Sequence, residues 1–261
     1  MPALIFDCDG VLADTEKDGH LAAFNQTFDY FKLPVQWTIN DYAAKLKIGG
    51  GKERLKSLLT PEFIAKAKLP SDSEGQAVAV TNWHRYKTEI YTQLVEQGIM
   101  PARPGIARIV EEANSAGWRL AVASTSHEKS VRAVLNHAVG DELASKFSVF
   151  AGDIVPHKKP APDIYLLALE KLAVSVNEAI VVEDSNNGLV AATTAGLRTL
   201  VTISSFTSGE NFDGASLVVS SLGDYAQGEK STVIENPNNL TLSEVVTLND
   251  LNNIMKTPCP V

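Results

Sequence analysis

Short apolar runs recur along the chain, and each is followed by a turn and a segment with helical periodicity. Runs of this length between turn residues are typical of buried strands. Their alternation with helical segments predicts a parallel sheet flanked by helices, which is an α/β fold. The predicted strands are Ala3 to Phe6, Arg119 to Ala123, Ser148 to Phe150, Ala179 to Val182 and Arg198 to Ile203.

Between the first and second runs lies a long stretch, residues 17–97, with helical periodicity and no convincing strand. It predicts a helical insertion that leaves the sheet domain directly after its first strand. The sheet domain would then comprise residues 1–16 and 98–226. From Gln227 the composition shifts to Asn, Ser, Thr and Pro. Residues 227–261 are a C-terminal extension that forms either a last packed helix or a surface appendage.

Composition narrows the functional classes. The net charge of −8 over 261 residues disfavours a general attraction to nucleic acid or to an anionic membrane. No apolar run reaches the roughly 18 residues that suggest a spanning helix. We therefore expect a protein of the cytoplasm, or of the plastid stroma if the chain is a processed form. Cys8 and Cys259 lack zinc-type spacing, and they fit a reducing compartment without a disulfide.

Polar side chains directly follow several of the predicted strands. Ligands of open parallel sheets bind beyond the carboxyl ends of the strands, so these residues are expected to form one site. Several carboxylates at one point require a cation, and a set of oxygen ligands favours Mg²⁺. The residues are Asp7 and Asp9 after the first strand, Ser124 and Thr125 after the second, Glu183 and Asp184 after the fourth, and Lys159 in the loop "VPHKKPAPDIY".

This combination suits phosphoryl transfer. Lys159 and the Ser124 hydroxyl offer a positive charge and a hydrogen-bond donor to the oxygens of a phosphoryl group. A carboxylate that faces the phosphorus can act as a nucleophile and form an aspartyl-phosphate. A second carboxyl group can protonate the leaving alkoxide and later deprotonate water. Gly10 lets the chain turn sharply, which would direct Asp9 toward the leaving group.

The segments "DCDGVLADT", "AVASTS", "KKPAPDIY" and "VVEDSNNG" together resemble the four motifs of the haloacid dehalogenase superfamily, in the same order. The resemblance covers about residues 3–225. It implies a Rossmann-like core with a small, all-helical cap domain formed by the insertion. It also implies that Asp7 is the nucleophile and Asp9 the general acid/base. Mg²⁺ would be bound by Asp7, Asp184 and the carbonyl oxygen of Asp9, with Glu183 adjacent.

The predicted cap carries basic groups. In "KIGGGKERL" three glycines open a helix that bears Lys52 and Arg54, which favours an anion site. Glu16 and His20 share a face if their segment is helical. With "HRYKTE" and "ARPGI", these segments resemble the CbbY group of the superfamily, although the segment between Glu16 and His20 is one residue longer than in some bacterial relatives. The substrate contacts implied are Glu16, His20, Tyr42, Gly50, Gly51, Lys52, Arg54, Arg85 and Lys87, together with Thr125 of the core.

Members of the CbbY group dephosphorylate xylulose-1,5-bisphosphate, an inhibitor of the Calvin-cycle enzyme Rubisco, to xylulose 5-phosphate. The resemblance thus implies a monomeric sugar-bisphosphate phosphatase with no nucleic-acid or membrane partner. The alternative is a β-phosphoglucomutase, which shares the core, the cap type and the "KPAPDI" stretch, but has a different cap loop from "GGGKER". A non-catalytic sugar-phosphate sensor would be expected to lack Asp7, Asp9, Lys159 or Asp184, and all four are present.

Overall fold

The computed structural model describes residues 1–258. They fold into two compact units. The first consists of Met1–Asp14 together with the chain from Pro101 onward, and the second of Thr15–Met100. All strands of the described chain lie in the first unit, and the second contains only helices and connecting turns. The units divide the chain slightly outside the predicted limits of the insertion, because Thr15, Glu16 and residues 98–100 pack with the helical unit. The assignment of the two units as catalytic core and cap stays a prediction.

Strands and α-helices alternate in the first unit as far as its fifth strand, and the elements of the second unit are all helical. The strands of the described chain are β1 Ala3–Phe6, β2 Arg119–Ser124, β3 Phe147–Ala151, β4 Ala179–Glu183, β5 Arg198–Thr202, β6 Leu217–Val219 and β7 Val233–Glu235. The α-helices are α1 Ala22–Tyr30, α2 Ile39–Leu46, α3 Gly51–Lys56, α4 Pro61–Lys66, α5 Ser73–Glu96, α6 Ile106–Ser115, α7 Glu128–Ala144, α8 Asp163–Leu172, α9 Asn186–Thr194 and α10 Leu248–Ile254. A π-helix, Glu16–Leu21, precedes α1.

The strands form one seven-stranded sheet in the order β3-β2-β1-β4-β5-β6-β7. Neighbouring strands from β3 to β6 are parallel, and β7 pairs antiparallel with β6. The predicted α/β class is confirmed. The strand order reverses about β1, because β2 lies on one side of it and β4 on the other. A site at the carboxyl end of β1 is expected for this topology.

The sheet is stabilised by burial of both faces of its central strands. Side chains alternate between faces along β1, so Ala3 and Ile5 pack with Tyr165 of α8 and Ala191 of α9. Phe6 points to the opposite face, where its ring lies 6.3 Å from that of Phe147. All four residues of β1 are fully buried. This explains the uninterrupted apolar run in the sequence, which is typical of a central parallel strand.

Two short strands, β6 and β7, were not predicted from the sequence. Three apolar residues, Leu217–Val219, are too few for a distinct periodic signal, and β7 is an exposed edge strand. The segment after Gln227 is nevertheless integrated into the first unit. The α10 helix packs on α6 and buries Leu251 and Ile254 completely. Of the two alternatives left open for this segment, the structure has a packed helix at Leu248–Ile254.

Two remaining features concern membrane spans and cysteines. In the described chain, no helix combines the length and the hydropathy that a membrane span requires. Cys8, the second residue after β1, is buried. Cys259 lies outside the described residues, so the expected absence of a disulfide stays a prediction.

Candidate active site

The register of the sheet brings the predicted core residues together. Phe6 at the end of β1 is paired with Val122 on one side and with Val182 on the other. Asp7 therefore follows at the level where β2 and β4 reach their own polar ends, and its N–H donates to the Val182 carbonyl over 2.9 Å. Residues far apart in sequence converge because parallel strands end at the same edge of the sheet.

Lys159 joins two of the predicted carboxylates. Its Nζ donates to Asp7 Oδ1 over 2.7 Å and to Glu183 Oε1 over 2.6 Å. A third bond of 2.8 Å reaches the Ala123 carbonyl at the end of β2. These three acceptors satisfy all three protons of a buried ammonium group. Lys159 thus holds the ends of β1, β2 and β4 in one electrostatic cluster.

The second carboxylate of this cluster, Glu183, is fully buried and extensively hydrogen bonded. The Tyr165 hydroxyl donates to its Oε1 over 2.6 Å, and the Asp184 N–H donates to its Oε2 over 3.1 Å. Tyr165 was not predicted from the sequence, although it ends the stretch "KPAPDIY" that contains Lys159. Burial raises the pKa of Tyr165 well above its ordinary value, and the neighbouring Glu183 raises it further. Tyr165 therefore serves as a neutral donor.

Burial also controls the titration of Asp7 and Lys159. Desolvation raises the pKa of Asp7 to about 7; the Lys159 charge opposes this, whereas Glu183 and Asp9 raise the pKa. For Lys159, burial would lower the pKa, but the charges of Asp7 and Glu183 outweigh it and raise the pKa well above its ordinary value. Lys159 is therefore an ammonium group. A pKa near 7 leaves Asp7 only partly ionised at neutral pH, and additional positive charge nearby would favour its anionic form.

The donor set fits a divalent cation. Carboxylate oxygens of Asp7, Glu183 and Asp184 lie within 4.8 Å of one another, and all three residues are buried. Three carboxylates face one ammonium group, so ionisation leaves an excess of buried negative charge. Oxygen-only ligands match the preference of Mg²⁺. The Asp9 carboxylate is outside this cluster. The ligand that the sequence predicts from Asp9 is its backbone carbonyl oxygen, and this role stays a prediction.

Asp9 lies on a tight turn that the structure fixes from several sides. Gly10 has φ +79°, and a Cβ at this position would collide with the Asp184 carboxylate. Gly10 N–H donates to the Ala13 carbonyl over 2.9 Å. The Asp9 Oδ2 atom accepts a hydrogen bond from the Ser126 hydroxyl. Ser126 was not among the predicted site residues, because its place two residues beyond the strand end does not reveal this partner.

Arg103 stabilises the same turn by a hydrogen bond to its backbone. Its guanidinium donates to the Gly10 carbonyl, to the Ile203 carbonyl over 2.5 Å and to the Ser220 carbonyl over 2.7 Å. The Thr202 carbonyl accepts a further bond of 3.0 Å. Burial lowers the pKa of Arg103, against the attraction of Asp184 and Asp14. The sequence segment "ARPGI" contains this arginine. It does not reveal that the carbonyl groups it binds lie at the carboxyl ends of three strands, β1, β5 and β6.

The predicted phosphoryl-binding residues of β2 also lie at this edge. Ser124 is buried, and its Oγ accepts a 3.1 Å bond from the Ser126 N–H. Because this bond uses a lone pair, the Ser124 hydroxyl proton can be donated to a phosphoryl oxygen. Thr125 is half-buried directly after the strand. Ser124 and Thr125 thus lie at the carboxyl end of β2, and their role in binding a phosphoryl group stays a prediction.

In the helical unit, Glu16 belongs to a buried network. The Tyr42 hydroxyl donates to Glu16 Oε2 over 2.5 Å, and Arg54 Nη1 donates to the Tyr42 oxygen over 2.9 Å. Arg54 Nη1 is also 3.9 Å from Glu16 Oε2. Arg54 Nε is anchored on the Ile48 carbonyl over 3.0 Å. Three residues predicted separately along the sequence are therefore one cluster.

His20 belongs to a second cluster. Its Nδ1 lies 2.5 Å from Lys87 Nζ, and its ring stacks on Tyr91 with centroids 4.1 Å apart. His20 and Glu16 both lie on the π-helix, where the His20 N–H donates to the Thr15 carbonyl, five residues earlier, over 2.8 Å. A π turn accommodates one extra residue in a helix. On this π-helix the side chains of Glu16 and His20 are both buried.

The remaining predicted substrate contacts of the helical unit lie on two helices and differ in their exposure. Gly50, buried with φ +94°, is the N-cap residue of α3, and Gly51 is the first residue of the helix. Lys52 is half-buried on this helix. With only six residues α3 has a weak dipole, so the charges of Lys52 and Arg54 would have to attract most of any anion. Arg85 is exposed on α5, outside both clusters.

Comparison with known proteins identifies a family over most of the chain. The sequence model described as haloacid dehalogenase-like hydrolase matches residues 1–196. A CBBY-like protein of Arabidopsis thaliana is 46% identical over 226 residues, which are 85% of this chain and 69% of that protein.

Solved structures with a similar fold include members of the same group. A crystal structure of a mutant CbbY from Rhodobacter sphaeroides in complex with xylulose-(1,5)bisphosphate is 39% identical, with a TM-score of 0.75, and the match covers 87% of this chain and 98% of that one. A β-phosphoglucomutase from Clostridium difficile matches 98% of this chain and 97% of that one, with a TM-score of 0.68 but only 23% identity. The latter likeness concerns the fold alone.

Proposed function

Because the chain belongs to the haloacid dehalogenase-like hydrolase family and is a phosphatase of its CbbY-like group, we propose that it hydrolyses xylulose-1,5-bisphosphate to xylulose 5-phosphate in a Mg²⁺-dependent reaction. The observation that carries the proposal is the cluster of Asp7, Lys159 and Glu183 at the carboxyl end of β1. Asp9, on the turn that follows, completes a pair of carboxyl groups for covalent catalysis.

In the first step, an Asp7 carboxylate oxygen attacks the phosphorus, and the bond to the sugar oxygen breaks. The Asp9 carboxyl group donates its proton to the departing sugar oxygen, which leaves as an alcohol. Lys159 balances the negative charge around Asp7, and the Ser124 hydroxyl is placed to donate to a phosphoryl oxygen. The product of this step is an aspartyl-phosphate on Asp7.

In the second step, Asp9, now a carboxylate, takes a proton from water. The resulting hydroxide attacks the phosphorus of the aspartyl-phosphate, and inorganic phosphate leaves as the Asp7 carboxylate is regenerated. The Ser126 hydroxyl donates to Asp9 Oδ2 and so orients the carboxyl group that exchanges the proton. Each residue thus returns to its starting state.

The ligand set for the cation would be Asp7, Asp184 and the Asp9 carbonyl oxygen, with Glu183 adjacent. Mg²⁺ bound there supplies positive charge that favours ionised Asp7 and stabilises the charge of the transferring phosphoryl group. The raised pKa of Asp7 supports this part of the proposal, because the protein alone leaves that carboxyl group short of positive charge.

We assign recognition of the rest of the substrate to the helical unit. Glu16, Tyr42 and Arg54 form one polar cluster there, and His20 belongs to another. A sugar bisphosphate offers hydroxyl groups for the first kind of contact and a second phosphate for Lys52 and Arg54. The similarity to a CbbY structure that contains xylulose-(1,5)bisphosphate supports this substrate class.

The proposal includes the remaining predictions from the sequence. The chain would act as a monomer on a small molecule, without a nucleic-acid or membrane partner, in the cytoplasm or the plastid stroma. Size-exclusion chromatography with light scattering tests the monomer directly. A stable dimer would contradict it without affecting the catalytic assignment.

The decisive experiment is a phosphate-release assay with Mg²⁺ across sugar mono- and bisphosphates, with xylulose-1,5-bisphosphate and ribulose-1,5-bisphosphate as the critical pair. We expect preferential release from xylulose-1,5-bisphosphate. Formation of glucose 6-phosphate from β-glucose 1-phosphate is assayed in parallel. Isomerisation without net phosphate release would instead establish a mutase and overturn the proposal.

A further inference from the structure

Lys87 and His20 form a contact in the helical unit that has a chemical consequence for the histidine. Both side chains are buried, with 5% and 3% of their surface exposed, respectively. Lys87 Nζ lies 2.5 Å from His20 Nδ1, which is hydrogen-bonding distance. An ammonium group has three protons to donate and no lone pair to accept with. Nδ1 can therefore take part in this bond only as an acceptor.

The surroundings of Lys87 favour its charged form. Its Nζ lies 4.8 Å from the centre of the Phe24 ring and 4.7 Å from the centre of the Tyr91 ring. Aromatic faces attract cations, more strongly when water is excluded. The same Tyr91 ring stacks on His20 with an interplanar angle of 13°. Tyr91 therefore holds the imidazole in place and also stabilises the ammonium group beside it.

We infer that Lys87 is a positioning residue that holds His20 as the neutral tautomer with its proton on Nε2. A proton on Nδ1 would be directed at the ammonium group, and a doubly protonated ring would add a like charge to the contact. In this tautomer Nε2 is a hydrogen-bond donor and cannot act as a base. This role for Lys87 differs from the direct substrate contact that the sequence resemblance implies.

For recognition of a sugar phosphate, which rests on the proposed function, His20 is then a neutral donor suited to a hydroxyl or carbonyl oxygen. It supplies no positive charge for a phosphate. The tautomer itself does not depend on that function, because Lys87, Tyr91 and His20 are in place without a substrate. The two parts can therefore be tested separately.

The test of the tautomer is long-range ¹H–¹⁵N spectroscopy of the full-length protein, labelled at histidine nitrogen and recorded near pH 8 without substrate. The His20 signals are assigned by their loss in His20→Asn. We expect Nδ1 to resonate as an unprotonated nitrogen and Nε2 as a protonated one. A protonated Nδ1, alone or together with Nε2, would overturn the inference. This measurement is made on the parent protein, so it does not depend on whether a variant of Lys87 folds.

Lys87→Met removes the donor but retains much of the length of the side chain, so we expect the His20 signals to shift toward a mixture of tautomers. Lys66→Met, an exposed lysine of the same unit, is the matched control and should leave them unchanged. An unaltered His20 spectrum in Lys87→Met would show that Lys87 does not set the tautomer. In kinetics, Lys87→Met should raise KM for the sugar bisphosphate by about two- to tenfold, as for a weakened hydrogen bond between the neutral His20 and the substrate. An unchanged KM would contradict the role in recognition.

Discussion

The core cluster around Asp7 and the helical cluster around His20 both bury a lysine, but different kinds of group contact the two ammonium groups. Lys159 has two carboxylate partners, Asp7 and Glu183, at 2.7 and 2.6 Å. Lys87 contacts a histidine nitrogen and two aromatic faces. The first arrangement surrounds an ammonium group with carboxylate oxygens, and the second places an ammonium group beside an imidazole nitrogen and two ring faces.

This difference separates two chemical tasks. A site with excess carboxylate attracts a divalent cation, and it tolerates a phosphoryl group only once that cation is bound. A site built on a lysine, an imidazole and aromatic rings recognises oxygen atoms by hydrogen bonds. We therefore expect changes in the core cluster to alter the chemical step, and changes in the helical unit to alter substrate binding.

The strongest way to break the comparison is Asp7→Asn. The amide oxygen can still accept the Lys159 hydrogen bond, but it cannot act as the nucleophile. We expect kcat to fall by about 10⁴-fold or more for every phosphate ester, sugar bisphosphate and aryl phosphate alike. Rapid-quench experiments should trap a phosphorylated protein with the parent chain and none with the variant.

The control for that loss is the fold. The variant should show the circular dichroism spectrum of the parent protein and should still bind Mg²⁺ with the sugar bisphosphate in titration calorimetry. Appreciable turnover by a correctly folded Asp7→Asn protein would rule out Asp7 as the nucleophile.

The helical unit should respond differently to Arg54→Ala. A lost charge-assisted bond to the second phosphate should raise KM for a bisphosphate by about 10- to 100-fold. Because a small aryl phosphate has no second phosphate, its kcat/KM should change by much less. Lys52→Ala should act in the same direction, and Lys66→Ala, on the exposed surface of the same unit, is the matched control.

Steady-state kinetics on both substrates decide this prediction. Equal losses of kcat/KM on the bisphosphate and the aryl phosphate would refute the assignment of the second anion to Arg54. They would indicate instead that loss of the bonds to Tyr42 and Ile48 had disordered the helical unit.

A smaller effect is expected for Ser126→Ala, which tests whether the core cluster positions Asp9. The change removes one hydrogen bond to Oδ2 and leaves the carboxyl group itself in place. We expect kcat to fall about tenfold, a part of the 10²- to 10⁴-fold that a general acid contributes. The loss should be larger for an alkyl phosphate than for a nitrophenyl phosphate, whose leaving group needs little protonation.

Ser145→Ala, an exposed serine at the end of α7, is the control for the substitution itself. If Ser126→Ala reduced turnover equally with both leaving groups, the serine would not act through proton donation by Asp9.

How far each region could be predicted from sequence follows from the same comparison. Asp7, Lys159 and Asp184 follow apolar runs or lie in a characteristic loop, so strand ends alone point to a common site. The contacts of Ser126 and Arg103 could not be predicted in this way. They depend on the shape of a turn and on carbonyl groups, and a backbone carbonyl has no signature in the sequence.

In the helical unit the signal was weaker still. The periodicity indicates helices but does not reveal that Tyr42 reaches Glu16, because these residues are on different elements and their separation depends on tertiary packing. Their selection rested on family resemblance. Strands β6 and β7 were missed because each has three residues, and pairing with a neighbour stabilises them more than local preference does.

The smallest effect concerns stability, and it tests whether the core cluster lacks positive charge when no metal is bound. Burial raises the pKa of Asp7 from 3.8 to about 7, so between these pH values the folded protein holds a proton that the unfolded chain has released. The stability associated with this proton is present below about pH 4 and is lost as the pH rises to about 7. The side-chain amide of the Asp7→Asn variant cannot titrate, so in EDTA the Tm of this variant should exceed that of the parent protein by a margin that grows over this range and then levels off. Groups shared by the two proteins cancel in the difference. Saturating Mg²⁺ should reduce the margin at pH 8, because the cation stabilises the ionised Asp7 of the parent protein. A margin independent of both pH and Mg²⁺ would show that Asp7 is ionised at no cost, and that the excess negative charge distinguishing this cluster from the helical one is already balanced within the protein.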